Sequence, residues 1–118
     1  MPTISPSQSS PQGELGDPHA IELESDRFIA AVTRLIEQRK IFPKEAIDRD
    51  EEGKVMIGIS LDREGHLLES KIEEPCKFQL LNDAALRTVN SVKFPEVPEI
   101  VPTPVHLHVP LVYRIERN

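Results

Sequence analysis

Three groups of residues have types and spacings that could do chemistry. His106 and His108 stand two apart in an alternating stretch, so on a strand both imidazoles leave one face, as half a transition-metal site would require. No Cys, Asp or third His lies close by in sequence to complete it, and a solvent-facing sheet surface accounts for the pair equally well. Cys76 is the single cysteine, with His66 ahead of it. Nucleophilic catalysis needs a base and an orienting group within hydrogen-bond reach, which this pattern does not supply, so the thiol reads as a partly packed side chain. Asp48, Asp50 and Glu52 resemble the start of a calcium loop. Counted from Asp48, the sixth position is Gly53 as such a loop demands, but the twelfth is Ile59 where a Glu ligand is required. The run reads as a solvated acidic loop, and no catalytic, metal or cofactor site is expected.

Composition narrows the classes further. The chain has 118 residues, 4% aromatic side chains, no Trp and a net charge of −6. Stacking platforms and phosphate-binding surfaces need aromatic and basic residues, so nucleic acid is not an expected partner. Residues 1–24 hold four acids and no Lys or Arg, which leaves residues 25–118 nearly balanced. One cysteine excludes an internal disulfide, and no stretch approaches the apolar length of a membrane helix.

Residues 1–24, with Pro2, Pro6, Pro11 and Pro18 among serines and glycines, show no apolar period and read as a disordered linker. A domain is expected over 25–118. Phe28, Val32, Leu35 and Ile36, with Ile29 beside them, fall on one stripe of a helix with Ser25 as N-cap and Pro43 as its stop. Val55, Ile57, Ile59 and Leu61 then alternate as a half-buried strand. Asp62-Arg63-Glu64-Gly65 is a tight turn, and Leu68, Ser70 and Ile72 form the inner row of the returning strand. Leu81, Ala85, Thr88, Val89 and Val92 mark a second helix over about 80–92, followed by a proline-dense connection. Val105, Leu107, Val109, Leu111, Tyr113 and Ile115 close the chain at strict alternation.

The order helix, strand, strand, helix, strand predicts an α+β fold. Its three-stranded antiparallel sheet has the order 2-1-3, with both helices on one face. The last strand lies at an edge, where Pro110 is tolerated. A long, regular edge with one apolar face is a liability unless covered, charged or used, and use means pairing with an extended peptide.

Five stretches in order resemble the TonB C-terminal domain family. They are the helix running into Ile41-Phe42-Pro43-Lys44-Glu45-Ala46; Glu52-Gly53-Lys54-Val55-Met56-Ile57; the turn Leu61 to Leu67 with Gly65; Asn82 to Val89 with Phe94-Pro95; and Val105 to Tyr113. The resemblance spans about residues 26–116. It implies a non-enzymatic periplasmic domain of an energy transducer, joined through a proline-rich spacer to an inner-membrane anchor that these residues do not include. That anchor would link the domain to an inner-membrane energising complex. It also implies that the last strand pairs with the TonB box of an outer-membrane receptor. By position the pairing falls on His106, Leu107, His108, Val109, Leu111, Val112, Tyr113 and Arg114. The related TolA C-terminal domain has a similar arrangement of elements, and the same open edge would also suit a self-associating envelope module, for example a homodimer.

Overall fold

The computed structural model describes residues 18–116. Helix α1 (Pro18–Arg39) and the single turn α2 (Lys44–Asp48) lead into strand β1 (Gly53–Leu61). Strand β2 (Leu67–Glu74), helix α3 (Gln79–Ser91) and strand β3 (Val105–Tyr113) follow. All pairs in the sheet are antiparallel and the order is β2-β1-β3. This is the topology the alternation and connection rules predicted.

Helix α1 begins at Pro18, seven residues before the expected Ser25 cap. Proline suits a first helical position because its missing N–H has no partner there, and Ala20, Glu22, Leu23 and Glu24 are good helix formers. The rest of the segment expected to be linker, residues 1–17, lies outside the described residues. Phe28, Val32 and Ile36 are buried as expected, whereas Ile29 sits at the rim of the stripe and is 39% exposed.

Pro43 ends α1 as expected but also starts α2, which the sequence reading missed. The turn closes with Glu51 N–H donating to Ala46 O at 2.9 Å and Asp50 N–H to Ile47 O at 3.0 Å, the paired bonds of a Schellman cap. Asp50 supplies the left-handed residue with φ 58°, a conformation that Asp adopts more readily than most residues. The run read as a solvated acidic loop is therefore a helix terminus. Glu51 is folded inward at 8% exposure.

Two extra residues in β2 revise the inner row. The register pairs Leu61 with Leu67 and Ser60 with Glu69, so Leu68 is a bulge and points out at 57% exposure. Leu67, not Leu68, packs against the core with Ile72. A second irregularity between Met56 and Ile57 leaves Glu73 as the other extra residue.

The core lies between the sheet and the helices. Val55, Ile57, Ile59 and Leu61 of β1 meet Leu107, Val109 and Leu111 of β3, all buried, under Phe28, Val32 and Ile36 of α1 and Leu81, Ala85 and Val89 of α3. Helix α1 packs on β3, while α3 packs on β1 and β2. Both helices occupy one face and leave the other to solvent. At the β1–β2 turn, Gly65 has φ +88°. There Val97 N–H donates to Arg63 O at 2.9 Å, and the Arg63 guanidinium donates to the carbonyls of Val97 and Pro98. The proline-dense connection is thereby tied to the hairpin.

Candidate functional site

Backbone direction alternates along a strand, so each residue of β3 turns its N–H and C=O either toward β1 or away from the sheet. Two observations decide which. Asp62 N–H, one residue past β1, bonds His66 O at 3.1 Å on the β2 side. Even-numbered residues of β1 therefore face β2, and Val55, Ile57, Ile59 and Leu61 face β3, opposite Leu111, Val109, Leu107 and Val105. The second observation lies on β3 itself, where the carbonyl of Val112 accepts from Lys40 Nζ at the outer edge. His106, His108, Pro110 and Val112 thus direct their backbone groups outward. Pro110, the one β3 residue without an N–H, is on the side where no strand among the described residues needs one. Among the described residues, the Lys40 bond is the one hydrogen bond seen on these outward groups.

The eight residues expected at the site divide accordingly. Leu107, Val109, Leu111 and Tyr113 bury their side chains in the core, at 5% exposure or less, and bond β1 through their backbones. His106 and His108 are exposed on the helix-free face, Val112 is half-buried, and Arg114 is exposed just past the end of β3. The outward edge therefore consists of backbone from His106, His108, Pro110 and Val112. The sequence reading passed over Pro110 as a contributor, although its carbonyl lies on this edge.

The two histidines are drawn apart from each other. His106 Nδ1 is 2.8 Å from Ser60 Oγ, and His108 Nδ1 is 2.8 Å from Glu73 Oε1, across β1 at Gly58. Gly58 leaves room for this crossing, because a Cβ there would meet the Glu73 carboxylate, which would have to shift. The residues whose ligand atoms do converge, within 4.8 Å, are Asp62, Glu64 and His66 at the β1–β2 turn. Asp62 is occupied in that turn: it accepts from Glu64 N–H at 3.0 Å and His66 N–H at 2.8 Å, and the His66 bond chiefly holds its carboxyl below the usual range. Cys76 is held by Asn82, whose side chain bonds both the Cys76 N–H (2.9 Å) and C=O (3.0 Å), while its Sγ donates to Phe78 O at 3.4 Å. His66 is not its hydrogen-bond partner. Asn82 thereby closes the loop ahead of α3.

One residue the sequence reading passed over flanks the edge. Lys40 follows α1, pairs with Glu37 at 3.1 Å and lies 5.4 Å from the centroid of the Tyr113 ring. Phe42 meets the same ring edge-on, at 5.1 Å and 77°. Tyr113 is 1% exposed and its hydroxyl has no hydrogen-bond partner among the described residues. Burial raises its pKa to about 12.

The sign of the resulting pH effect follows from the neutral form being favoured in the fold. Unfolded tyrosine ionises near pH 10, so between pH 10 and 12 the unfolded state holds fewer protons and stability falls with rising pH. The loss is at most about 1.4 kcal/mol per unit. Tyr113→Phe is expected to flatten this decline and to leave neutral-pH stability within about 1 kcal/mol, because it removes an unpaired buried hydroxyl. Urea melts at pH 8 and pH 11 check both statements, and an equal alkaline loss in the two proteins would refute the assignment.

Comparison with known proteins agrees with this fold. Residues 38–115 match the family model described as Gram-negative bacterial TonB protein C-terminal. Protein TonB of Campylobacter coli is 29% identical over 110 residues, covering 92% of this chain and 45% of that protein. Protein TonB of Helicobacter pylori strain J99 is 27% identical over 96 residues, covering 80% of this chain and 33% of that protein. The chain thus spans less than half the length of these relatives. Two solution NMR structures of the Helicobacter pylori TonB C-terminal domain superpose with TM-scores of 0.65 and 0.62, at 26% and 28% identity. They cover 78% and 77% of this chain, and 84% and 97% of their own. A family match to residues 38–115, about two-thirds of the sequence, together with the same fold, places this chain in the family of Gram-negative bacterial TonB C-terminal domains.

Proposed function

We propose that this domain is the periplasmic, non-enzymatic end of a TonB-type energy transducer that takes up the TonB box of an outer-membrane receptor as a fourth strand beside β3. The observation that carries the reading is the outward row of backbone groups on His106, His108, Pro110 and Val112. Main-chain bonds along such an edge supply affinity, and the side chains flanking it supply selectivity. His106, His108, Val112 and Arg114 flank the added strand. Leu107, Val109, Leu111 and Tyr113 act from beneath by holding β3 flat against β1. Residues 1–17, ahead of α1, would belong to the spacer toward an inner-membrane anchor, and force from the inner-membrane proton-motive complex would reach the receptor through it. Among the described residues no helix is long and apolar enough to cross a membrane.

The test is an NMR titration of the 15N-labelled domain with synthetic peptides from the periplasmic N-termini of outer-membrane receptors. The expected result is shifts concentrated at His106, His108 and Val112. A folded, monomeric domain whose β3 amides respond to no peptide would end this reading. A domain that is dimeric at all concentrations, with protected outward amides, would show the edge occupied by a second copy instead.

A further inference from the structure

Resting on that reading, we infer that Lys40 is a stop that fixes where a strand added at β3 must end, and so selects the register of the peptide. Lysine is a common guard of exposed edges because its charge and its demand for solvent or acceptors oppose strand pairing. Here it does more than sit nearby. Its ammonium takes the outward carbonyl of Val112, the acceptor an added strand would otherwise use at that position.

The placement is built rather than incidental. Lys40 side-chain exposure is 20%, low for a lysine. The Glu37 carboxylate holds the ammonium at 3.1 Å and the Tyr113 ring lies beneath it at 5.4 Å. The following residue is pinned as well, since Ile41 N–H donates to Thr88 Oγ1 at 2.9 Å, and Phe42 packs on Tyr113. The chain therefore leaves α1 along one fixed path over the end of β3.

The consequence for a ligand is specific. His106 and His108 each offer an N–H and a C=O, whereas Pro110 offers only a C=O and Val112 only an N–H. Full ladder pairs form opposite His106 and His108, and the edge weakens through Pro110 to its end at Val112. The occupant is a short extended peptide whose best-paired residues lie against His106 and His108. Its residue opposite Val112 needs no backbone donor. A proline in the peptide is tolerated there and not opposite His108.

The experiment compares wild type, Lys40→Met and Lys40→Arg with the same receptor N-terminal peptides, following affinity and amide hydrogen exchange on β3 and on the bound peptide. Methionine keeps the aliphatic stem over Tyr113 and removes the donor; arginine keeps a donor. Peptide is expected to protect the His106 and His108 amides in all three chains. The peptide's own amide opposite Val112 is expected to be protected only in Lys40→Met, where the Val112 carbonyl is free to accept it, with affinity rising several-fold there and Lys40→Arg staying near wild type. Equal affinity and equal protection of that peptide amide in wild type and Lys40→Met would overturn the role of Lys40 while leaving strand addition intact. Unperturbed β3 amides in all three chains would overturn strand addition, and the stop with it.

Discussion

His108→Pro is expected to leave the domain folded and to weaken peptide binding at least about tenfold, whereas Leu107→Pro is expected to unfold it. The two positions are adjacent and differ in the direction of one N–H. At His108 the N–H points out of the sheet, as the missing one at Pro110 does, so its loss breaks no bond of the free domain. It also forfeits the exposed contact with Glu73, worth about 1 kcal/mol at most. In the complex, by contrast, it removes the central ladder donor and sets a ring against the incoming strand. One such bond is worth about 1 kcal/mol net, and steric exclusion of the strand adds to it. At Leu107 the N–H faces Ile59, and the side chain is 5% exposed in the core. Losing both costs about 3 kcal/mol for the backbone and roughly 2–5 kcal/mol for the side chain, comparable to the whole stability of a small domain. Circular dichroism and the peptide titration together check the pair. A His108→Pro domain that is folded and binds as wild type would rule out strand addition on this edge.

Gly65→Ala is expected to be the most damaging small substitution at the β1–β2 turn, costing about 3 kcal/mol or more. Gly65 has φ +88°, where a side chain is strained by about 1–3 kcal/mol. A Cβ would also stand 2.5 Å from Pro95 O and 2.6 Å from Phe94 O. Those are backbone atoms of a segment tied to Arg63, so relief requires moving the connection that carries buried Phe94 and Val97. At about 4–8 °C per kcal/mol for a domain of this size, the melting temperature should fall by more than 10 °C. A fall within 2 °C would show that the Phe94–Val97 segment is not packed on the turn. Gly58→Ala is expected to be milder, because its Cβ meets the end of the flexible Glu73 side chain.

Much of the fold was legible because period-two and helical apolar patterns report which face of an element is buried. Val55 to Leu61 and Val105 to Tyr113 alternate without interruption, and short connections leave few ways to join them. The sequence by itself therefore determined the two long helices, the antiparallel sheet order and the edge position of β3, where Pro110 is tolerated. It did not determine the bulges at Leu68 and Glu73, since an extra residue costs nothing in composition and is located only by the partner strand. Nor did it reveal the α2 turn, whose Schellman cap uses Asp50 in place of the usual glycine, or the helical turns from Pro18 to Glu24, whose residues bury little. Among candidate site residues, alternation gave the right strand but could not say which backbone groups point outward, because side-chain period and hydrogen-bond direction are separate alternations. Only tertiary structure decided that, through the Asp62–His66 bond on one side of β1 and the reach of Lys40 to Val112 on the other. It also decided that His106 and His108 turn to Ser60 and Glu73, partners 46 and 35 residues away in sequence. Contacts between residues so distant in the chain depend on how strands register and helices cross, which local pattern does not encode.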